Sequence, residues 1–314
     1  MKNQTTIIAA FILMLNAGIL WAQESPEEVN KAEYGFVLSL GTVSLPEDPR
    51  LPVSETNPQL TYQRLALQPD ISFGKLGIGI DINVHFNIKL GENDKVDIYE
   101  ADWIPEKAGK TFLELYLPKI AYVRWGHKGD DLYAKLGSFD DGTLGSGFIM
   151  GNYSNTRFLP TTRIFGAALD IDGVLFDVPI MGVETFVGNL ANFDVIGTRI
   201  YIRPLLNLSG LVRNLELGTT IAADLDPLRY ADPLFTSDFE SREGEAGAAV
   251  VAGADLALPI ITKPSLKLTA FSDLAFENKL RWGTMVGVGG QAFSFVNYGA
   301  PVRLLGPDFV PILF

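Results

Sequence analysis

Apolar residues alternate with polar residues or glycine without interruption over the thirteen positions from Leu76 to Ile88. Side chains on a β-strand point to opposite faces with a period of two, so this segment predicts a strand with one apolar face and one polar or bare face. Strands of soluble proteins usually have about five or six residues. A tilted crossing of a lipid bilayer needs roughly 9–11 residues. The length of the segment therefore favours a membrane-crossing strand.

The same alternation recurs along the chain between turn-rich segments and predicts thirteen strands. Their predicted bounds are about residues 33–43, 60–73, 76–88, 113–125, 132–139, 163–171, 180–188, 195–203, 213–224, 247–257, 265–276, 280–289 and 291–299. Strand and helix patterns do not alternate anywhere, so the sequence predicts an all-β, antiparallel fold.

The lengths of the connections between these strands also alternate. In an up-and-down barrel, successive connections lie on opposite sides, with short turns on one side and long loops on the other. The four longest predicted connections are all odd-numbered, at residues 44–59, 89–112, 140–162 and 225–246. Two other odd-numbered connections, 189–194 and 277–279, are short, which weakens the pattern without reversing it. We therefore expect long loops on one side and short turns on the other.

The alternation sorts polar and charged residues onto one face of the predicted strands. An Arg or Lys that faces lipid at the bilayer midplane costs about 2–4 kcal/mol, so we expect the charged face to line a lumen. A β-sandwich shows the same alternation with its apolar face inward, and it is the main alternative. The predicted pore-lining residues are Arg64, Asp70, Asp81, Asn83, His85, Lys135, Glu184, Arg199, Glu216, Asp224, Asp255, Lys267, Asp273 and Arg281.

The N-terminus has the layout of a secretory signal peptide. Lys2 precedes an apolar stretch from Ile7 to Leu20, which is shorter than the roughly 20 residues of a membrane-spanning helix. We predict a cleaved signal at residues 1–22, followed by a polar periplasmic segment at residues 23–32. An uncleaved anchor is the alternative.

The composition excludes several classes of protein. The chain has no cysteine, which excludes disulfides, thiolate metal sites and a lipid anchor on a processed cysteine. Its net charge of −12 argues against a nucleic-acid partner, because phosphates require a basic surface.

With Leu76–Ile88 and Val195–Ile202 as its clearest segments, the chain resembles the porin-like transmembrane β-barrel proteins of bacterial outer membranes. The resemblance covers residues 33 to about 299 and is architectural, since it rests on no diagnostic motif. It implies an antiparallel up-and-down transmembrane β-barrel of about 12–14 strands within residues 33–314, with short periplasmic turns and long external loops. It also implies export to the outer membrane, contact with outer-membrane lipid, insertion by the barrel-assembly machinery, and a homo-oligomer as one possible state.

The C-terminus departs from this family's pattern. Phe314 is a terminal aromatic residue of the expected kind, but Pro307 and Pro311 do not fit the ladder of a closing strand. Thirteen strands also conflict with the even number found in single-chain bacterial barrels. Three explanations stay open: one strand is misassigned, the segment after Tyr298 is irregular, or the chain stops before its closing strand.

The sequence shows no catalytic or metal-binding constellation. Barrel phospholipases, by resemblance, place a serine two residues after a strand histidine, whereas Asn87 follows His85 here. His127 falls in a predicted turn, and two histidines without cysteine do not easily form a transition-metal site. The Asp140–Gly142 and Asp170–Gly173 segments lack the bidentate glutamate of a twelve-residue calcium loop. We therefore predict no enzyme activity and no cofactor.

The glycine-rich segment Gly142–Gly151 superficially resembles a phosphate-binding loop, but such a loop requires a following helix. It lies in the third predicted external connection. In general porins, the loop of that rank folds into the barrel and narrows the pore. By this resemblance, the candidate constriction residues are Asp140, Asp141, Asn152, Asn155 and Arg157.

These observations predict a passive outer-membrane channel for small hydrophilic solutes. One alternative is an adhesin or receptor barrel that acts through loops 89–112 and 225–246. Another is a transporter of hydrophobic substrates, which requires an internal plug, and residues 23–32 are short for that role.

Overall fold

The computed structural model describes residues 32–89, 95–159, 163–227, 247–263, 265–277, 281–293, 296–307 and 309. The predicted signal peptide, residues 1–22, and residues 23–31 of the predicted N-terminal segment lie outside the described part. Most of the predicted loop 225–246 and the chain end with Pro311 and Phe314 also lie outside it.

Strands account for 57% of the structure and helices for 10%, so the predicted antiparallel β fold is confirmed. The strands are β1 (Ala32–Pro46), β2 (Gln59–Phe73), β3 (Leu76–Ile80), β4 (Ile82–Lys89), β5 (Lys95–Ile98), β6 (Ile120–Trp125), β7 (Leu132–Gly137), β8 (Gly166–Asp172), β9 (Met181–Val187), β10 (Val195–Ile202), β11 (Glu216–Asp224), β12 (Ala249–Lys263), β13 (Leu266–Glu277), β14 (Trp282–Ala292) and β15 (Val296–Leu305). The helices are α1 (Pro105–Ala108) and α2 (Phe112–Tyr116), and 3-10 turns lie at Glu100–Asp102, Leu117–Lys119, Gly173–Phe176 and Leu211–Asn214. Among the described helices, none is long and apolar enough to cross a membrane.

All fifteen strands join one up-and-down sheet. Consecutive strands pair from β6 to β15, while β2 pairs with both β3 and β4. Strand β3 also pairs with β6, and strand β4 also pairs with β5. Within the described residues β1 pairs with β2 and β15 pairs with β14, and no pairing joins β1 to β15. The sheet is therefore not closed into a barrel.

The strand count exceeds the predicted 12–14 for two local reasons. The long alternation at Leu76–Ile88 is divided at Asp81, whose backbone N–H donates to the carbonyl of Lys119. Within the predicted loop 89–112, the short strand β5 pairs with β4. The break at Asp81 and the extra strand β5 both lie next to residues 99–119, which are not part of the sheet.

The strand predicted at residues 113–125 is wrong in its first half. Strand β6 begins only at Ile120, and residues 112–116 form helix α2. Thr111 and Glu114 form a capping box at its N-terminus, in which each side chain bonds to the other residue's backbone N–H. This local pattern prevails over the apolar alternation that follows it.

The predicted strands 280–289 and 291–299 imply a turn at Gly290, and this is also wrong, because β14 continues to Ala292 and β15 runs from Val296 to Leu305. Pro301 lies in β15, which is an edge strand of the sheet, and an edge strand tolerates a missing backbone N–H. Pro307 follows β15 and is not part of the ladder.

The two faces of the sheet differ in both composition and exposure. The charged face carries residues such as Glu184, Arg199 and Asp255, and the apolar face carries residues such as Ile200. Arg199 is 3% exposed, whereas the adjacent Ile200 is 52% exposed. A sandwich with its apolar face inward has the opposite distribution. The apolar face also exposes Leu169, Leu217, Ile221, Leu256, Leu274, Phe276 and Val286.

The loop between β7 and β8, here called the β7–β8 loop, packs on the charged face. Its residues Leu144, Phe148, Ile149 and Met150 are buried in an apolar cluster with strand residues. These strand residues lie in the half of the sheet nearer the long loops, and they are Phe186, Val195, Ala222, Val251, Ala275 and Met285. A second cluster, which includes Tyr62, Tyr99 and Leu115, attaches the helical segment to β2.

Candidate functional site

Arg199 is the centre of an ion-pair network on the charged face. Its Nη1 donates to Glu184 Oε1 at 2.6 Å, and its Nη2 donates to Asp255 Oδ1 at 2.6 Å. The register places Arg199 directly opposite Glu184 on β9. Asp255 lies opposite Gly218, where a Cβ would be 2.3 Å from the carboxylate. The missing side chain of Gly218 therefore leaves room for the pair to cross β11.

Arg203 extends this network towards the short turns. Its Nη2 donates to Asp172 Oδ2 at 2.6 Å, and it also pairs with Glu216 at 2.9 Å. The ring of Tyr201 lies between the two guanidinium groups, at 4.9 Å from Arg199 and 5.1 Å from Arg203. The Tyr201 hydroxyl donates to Asp172, so the ring is held in place. Cation–π attraction adds to the ion pairs here.

Lys128, in the turn between β6 and β7, joins the other side of the network. Its ammonium group lies 2.7 Å from Asp170 Oδ2 and 3.2 Å from Glu184 Oε2. Burial alone lowers the pKa of Lys128, but the Glu184 and Asp170 carboxylates outweigh that effect and raise the pKa above its usual value. Lys128 is therefore charged at neutral pH.

The tip of the β7–β8 loop is fixed directly to the network. The backbone N–H of Gly145 donates to Glu184 Oε2 at 3.1 Å, and the Ser146 hydroxyl donates to Asp273 Oδ1 at 2.5 Å. Gly145 has a φ of +55°, and a Cβ there would lie 2.9 Å from Arg199 Nε. Glycine is thus favoured at this position both by the backbone conformation and by the close approach.

A second polar group lies around Asp81, which is 3% exposed. Arg163, at the end of the β7–β8 loop, donates to Asp81 Oδ2 and to Ser138 Oγ. Asn83 donates to Asp81 Oδ1 at 3.0 Å and accepts a bond from Arg64 Nε at 2.7 Å. These bonds join the β7–β8 loop to β2 and β4.

His85 forms a pair with Asp102 from the segment between β5 and α1. Its Nδ1 lies 2.9 Å from Asp102 Oδ2, and its backbone N–H donates to the same oxygen. Nε2 is buried and has no hydrogen-bond partner among the described residues. Asn87 stands two residues later, where barrel phospholipases have serine.

The remaining predicted pore-lining residues lie at the margins of these groups. Lys135 pairs with Asp141 at 3.1 Å, and Asp70 lies 3.9 Å from Arg124. Asp224 accepts a bond from the backbone of Asp226. Lys267 is an exposed residue near the start of β13, and Arg281 precedes β14 and lies 3.8 Å from Glu277.

The five candidate constriction residues have different environments. Asp140, Asn152 and Arg157 are exposed, as is the side chain of Asp141. Asn155 is 3% exposed, accepts a bond from the Phe139 backbone N–H and donates to the carbonyls of Gly137 and Gly188. Asn155 therefore fixes the base of the loop.

Several residues of these networks were absent from the sequence-based set. Asp170 and Asp172 had been considered only as calcium ligands, although their spacing of two residues places both on one face of β8. Arg203 is the last residue of the predicted strand 195–203, and Lys128 lies in the turn between two predicted strands, where alternation gives little signal. The missed residues of the two groups and the pairs beside them are Lys128, Arg163, Asp170, Asp172, Arg203, Tyr201, Arg124 and Asp102.

A cavity of about 510 Å³ lies between the loop tip and the charged face of β12 to β15. Glu184, Arg199, Glu216 and Asp255 line its polar side. Phe271, Met285 and Pro301 line the opposite, apolar side. The cavity lies in the half of the sheet nearer the short turns, below the apolar cluster of the loop.

No group of three or more acidic or histidine side chains within the described ranges is arranged to hold a metal ion. No family model matches this chain, and no curated protein matches it either.

Proposed function

We propose that the chain forms a porin-like outer-membrane channel for small hydrophilic solutes, with the charged face lining its lumen. The observation that carries the proposal is the inverted distribution of side chains on the sheet. Arg199 is 3% exposed, while Ile200 beside it is 52% exposed. Lipid is the environment that favours exposed aliphatic residues on strands.

The arrangement of the connections supports the same proposal. The β7–β8 loop packs on the charged face and ends against Glu184 and Asp273. In a closed barrel this loop occupies part of the lumen and leaves the ion-pair network as the polar lining beneath it. We propose that the short turns face the periplasm and that the loop forms the constriction.

Planar-bilayer recording tests the proposal. The purified full chain should insert and produce discrete steps of conductance. The hydrogen-bonded bridge between Gly142 and Tyr153 brings the ends of the loop together. Replacing residues 143–152 by a two-glycine turn removes the apolar contacts of the loop and should lower stability, but the strands should keep their ladder bonds in a bilayer and the conductance should rise several-fold.

The matched control is Ser154→Ala, which changes an exposed residue of the same loop outside the candidate constriction set and should leave the conductance unchanged. If neither the full chain nor the shortened variant produces conductance steps, although both retain their strand content, the channel proposal is contradicted. That outcome would favour the receptor alternative.

A further inference from the structure

The cavity beneath the β7–β8 loop has two chemically different sides. On one side, the ring of Phe271 lies across two glycines of β14, because a Cβ at Gly287 would be 2.8 Å from its Cζ and one at Gly289 would be 3.4 Å from its Cε1. Met285 and Pro301 continue this apolar wall. The bare glycine backbone leaves room for this ring, which also lines the cavity.

The opposite side offers carboxylate acceptors that are held in place by arginine. Glu184 and Asp255 each lie 2.6 Å from a nitrogen of Arg199. Glu216 lies 2.9 Å from a nitrogen of Arg203. An ionised carboxylate has about four lone-pair positions, so each of these groups can accept further bonds.

An apolar wall that contains an aromatic ring, together with a set of arginine-paired carboxylates, matches one chemical class of ligand. A sugar ring has an apolar face of C–H groups and a rim of hydroxyl donors. The volume of about 510 Å³ lies within the range of roughly 300–1,000 Å³ that small-molecule sites occupy. An inorganic anion would face the carboxylates of Glu184, Glu216 and Asp255, and an organic cation would have to compete with the arginines that already hold them.

We infer that this cavity binds a neutral, hydroxyl-rich solute of sugar size, with its ring stacked on Phe271 and its hydroxyls donating to the paired carboxylates. This inference rests on the proposed channel and specifies the solute class that the channel admits. Even with Arg303 of β15, the lining has three carboxylates and two arginines, so a cation is the main competing ligand.

Calorimetric titration of the full chain in detergent tests the site without requiring conduction. Sucrose should bind saturably, while choline and inorganic phosphate should bind at least tenfold more weakly. Phe271→Ala should weaken sucrose binding about two- to tenfold, the range expected for the loss of an aromatic stacking contact. Phe271→Tyr should retain binding. Phe276→Ala, an outward position on the same strand with 42% exposure, should have no effect.

A second variant keeps the test decisive if Phe271→Ala fails to fold. The Cβ of a residue at Gly299 would enter open space, with only the Val288 carbonyl at 3.9 Å. Gly299→Leu should therefore occupy the cavity and abolish sucrose binding. The inference is overturned if sucrose gives no saturable heat, if Gly299→Leu binds like the wild type, or if phosphate or choline binds as tightly as sucrose.

Bilayer recording separates this inference from the channel proposal. Conductance steps without saturable sucrose binding would overturn the sugar site and leave the channel supported. Saturable binding without conductance would support the site and contradict the channel.

Discussion

Ser146 and Asp273 are separated by 127 positions in the chain, yet the Ser146 hydroxyl donates to Asp273 Oδ1 at 2.5 Å. The other carboxylate oxygen of Asp273 is buried and has no hydrogen-bond partner among the described residues. This single bond thus connects the tip of the β7–β8 loop to β13 and supplies a donor to a buried carboxylate.

Ser146→Ala should lower the free energy of unfolding by about 1–3 kcal/mol, because a buried acceptor loses its donor. Ser154→Ala is the matched control, since Ser154 lies in the same loop, is exposed and bonds only to neighbouring residues. Urea unfolding of both variants in detergent gives the comparison. Equal stability of the two variants would show that the loop tip is not fixed by this bond.

Arg199→Met should be more damaging, because it leaves Glu184 and Asp255 buried without their shared partner. Breaking a buried ion pair by removing one partner costs about 3–5 kcal/mol. Adding Glu184→Gln and Asp255→Asn to Arg199→Met should recover most of the lost free energy of unfolding. Failure of the triple variant to recover stability would mean that the arginine acts by packing rather than by charge.

The sequence pattern predicted the faces of the strands but not the contacts between them. Alternation alone separates Arg199 from Ile200, because side-chain direction on a strand has a fixed period. The pairing of Arg199 with Asp255 depends on the register of three strands and on the missing side chain at Gly218. No local pattern contains that information.

Helix α2 and the β7–β8 loop show two other limits. Residues 113–117 alternate like a strand, and the capping box of Thr111 and Glu114 was the opposing signal that the period obscured. The loop was predicted from resemblance to fold inward, but its apolar contacts join Met150 to distant strands. Such contacts arise only when the sheet has formed.

Met150→Ala should lower the free energy of unfolding by about 2–5 kcal/mol, because Met150 is fully buried and its removal leaves a cavity. Met181→Ala is the matched control, since Met181 is 45% exposed at the start of β9. Thermal unfolding in detergent measures both. A loop that lies loosely on the sheet would instead give two variants of similar stability.

Lys128→Gln should reveal the pH range over which the Lys128 ion pairs contribute. The pKa of Lys128 is raised in the folded chain by Glu184 and Asp170. Its contribution is therefore complete below the unfolded pKa of about 10.4 and is lost as the pH rises through the higher folded value. The stability difference between wild type and Lys128→Gln should stay constant from pH 7 to 9 and decrease above about pH 10.5. A difference that already decreases below pH 9 would contradict this assignment.

Ile200→Arg tests whether the apolar face meets lipid. Through Thr219 of β11, Ile200 is level with Ala254 near the middle of β12, and its side chain points away from Arg199. If this face lies in a bilayer, the substitution should cost about 2–4 kcal/mol in phospholipid vesicles, and Leu208→Arg in the connection between β10 and β11 should cost about 0–1 kcal/mol. Ile200 and Leu208 are both 52% exposed, so exposure alone predicts equal effects. Folding titrations in vesicles that gave equal costs would place water, rather than lipid, against the apolar face.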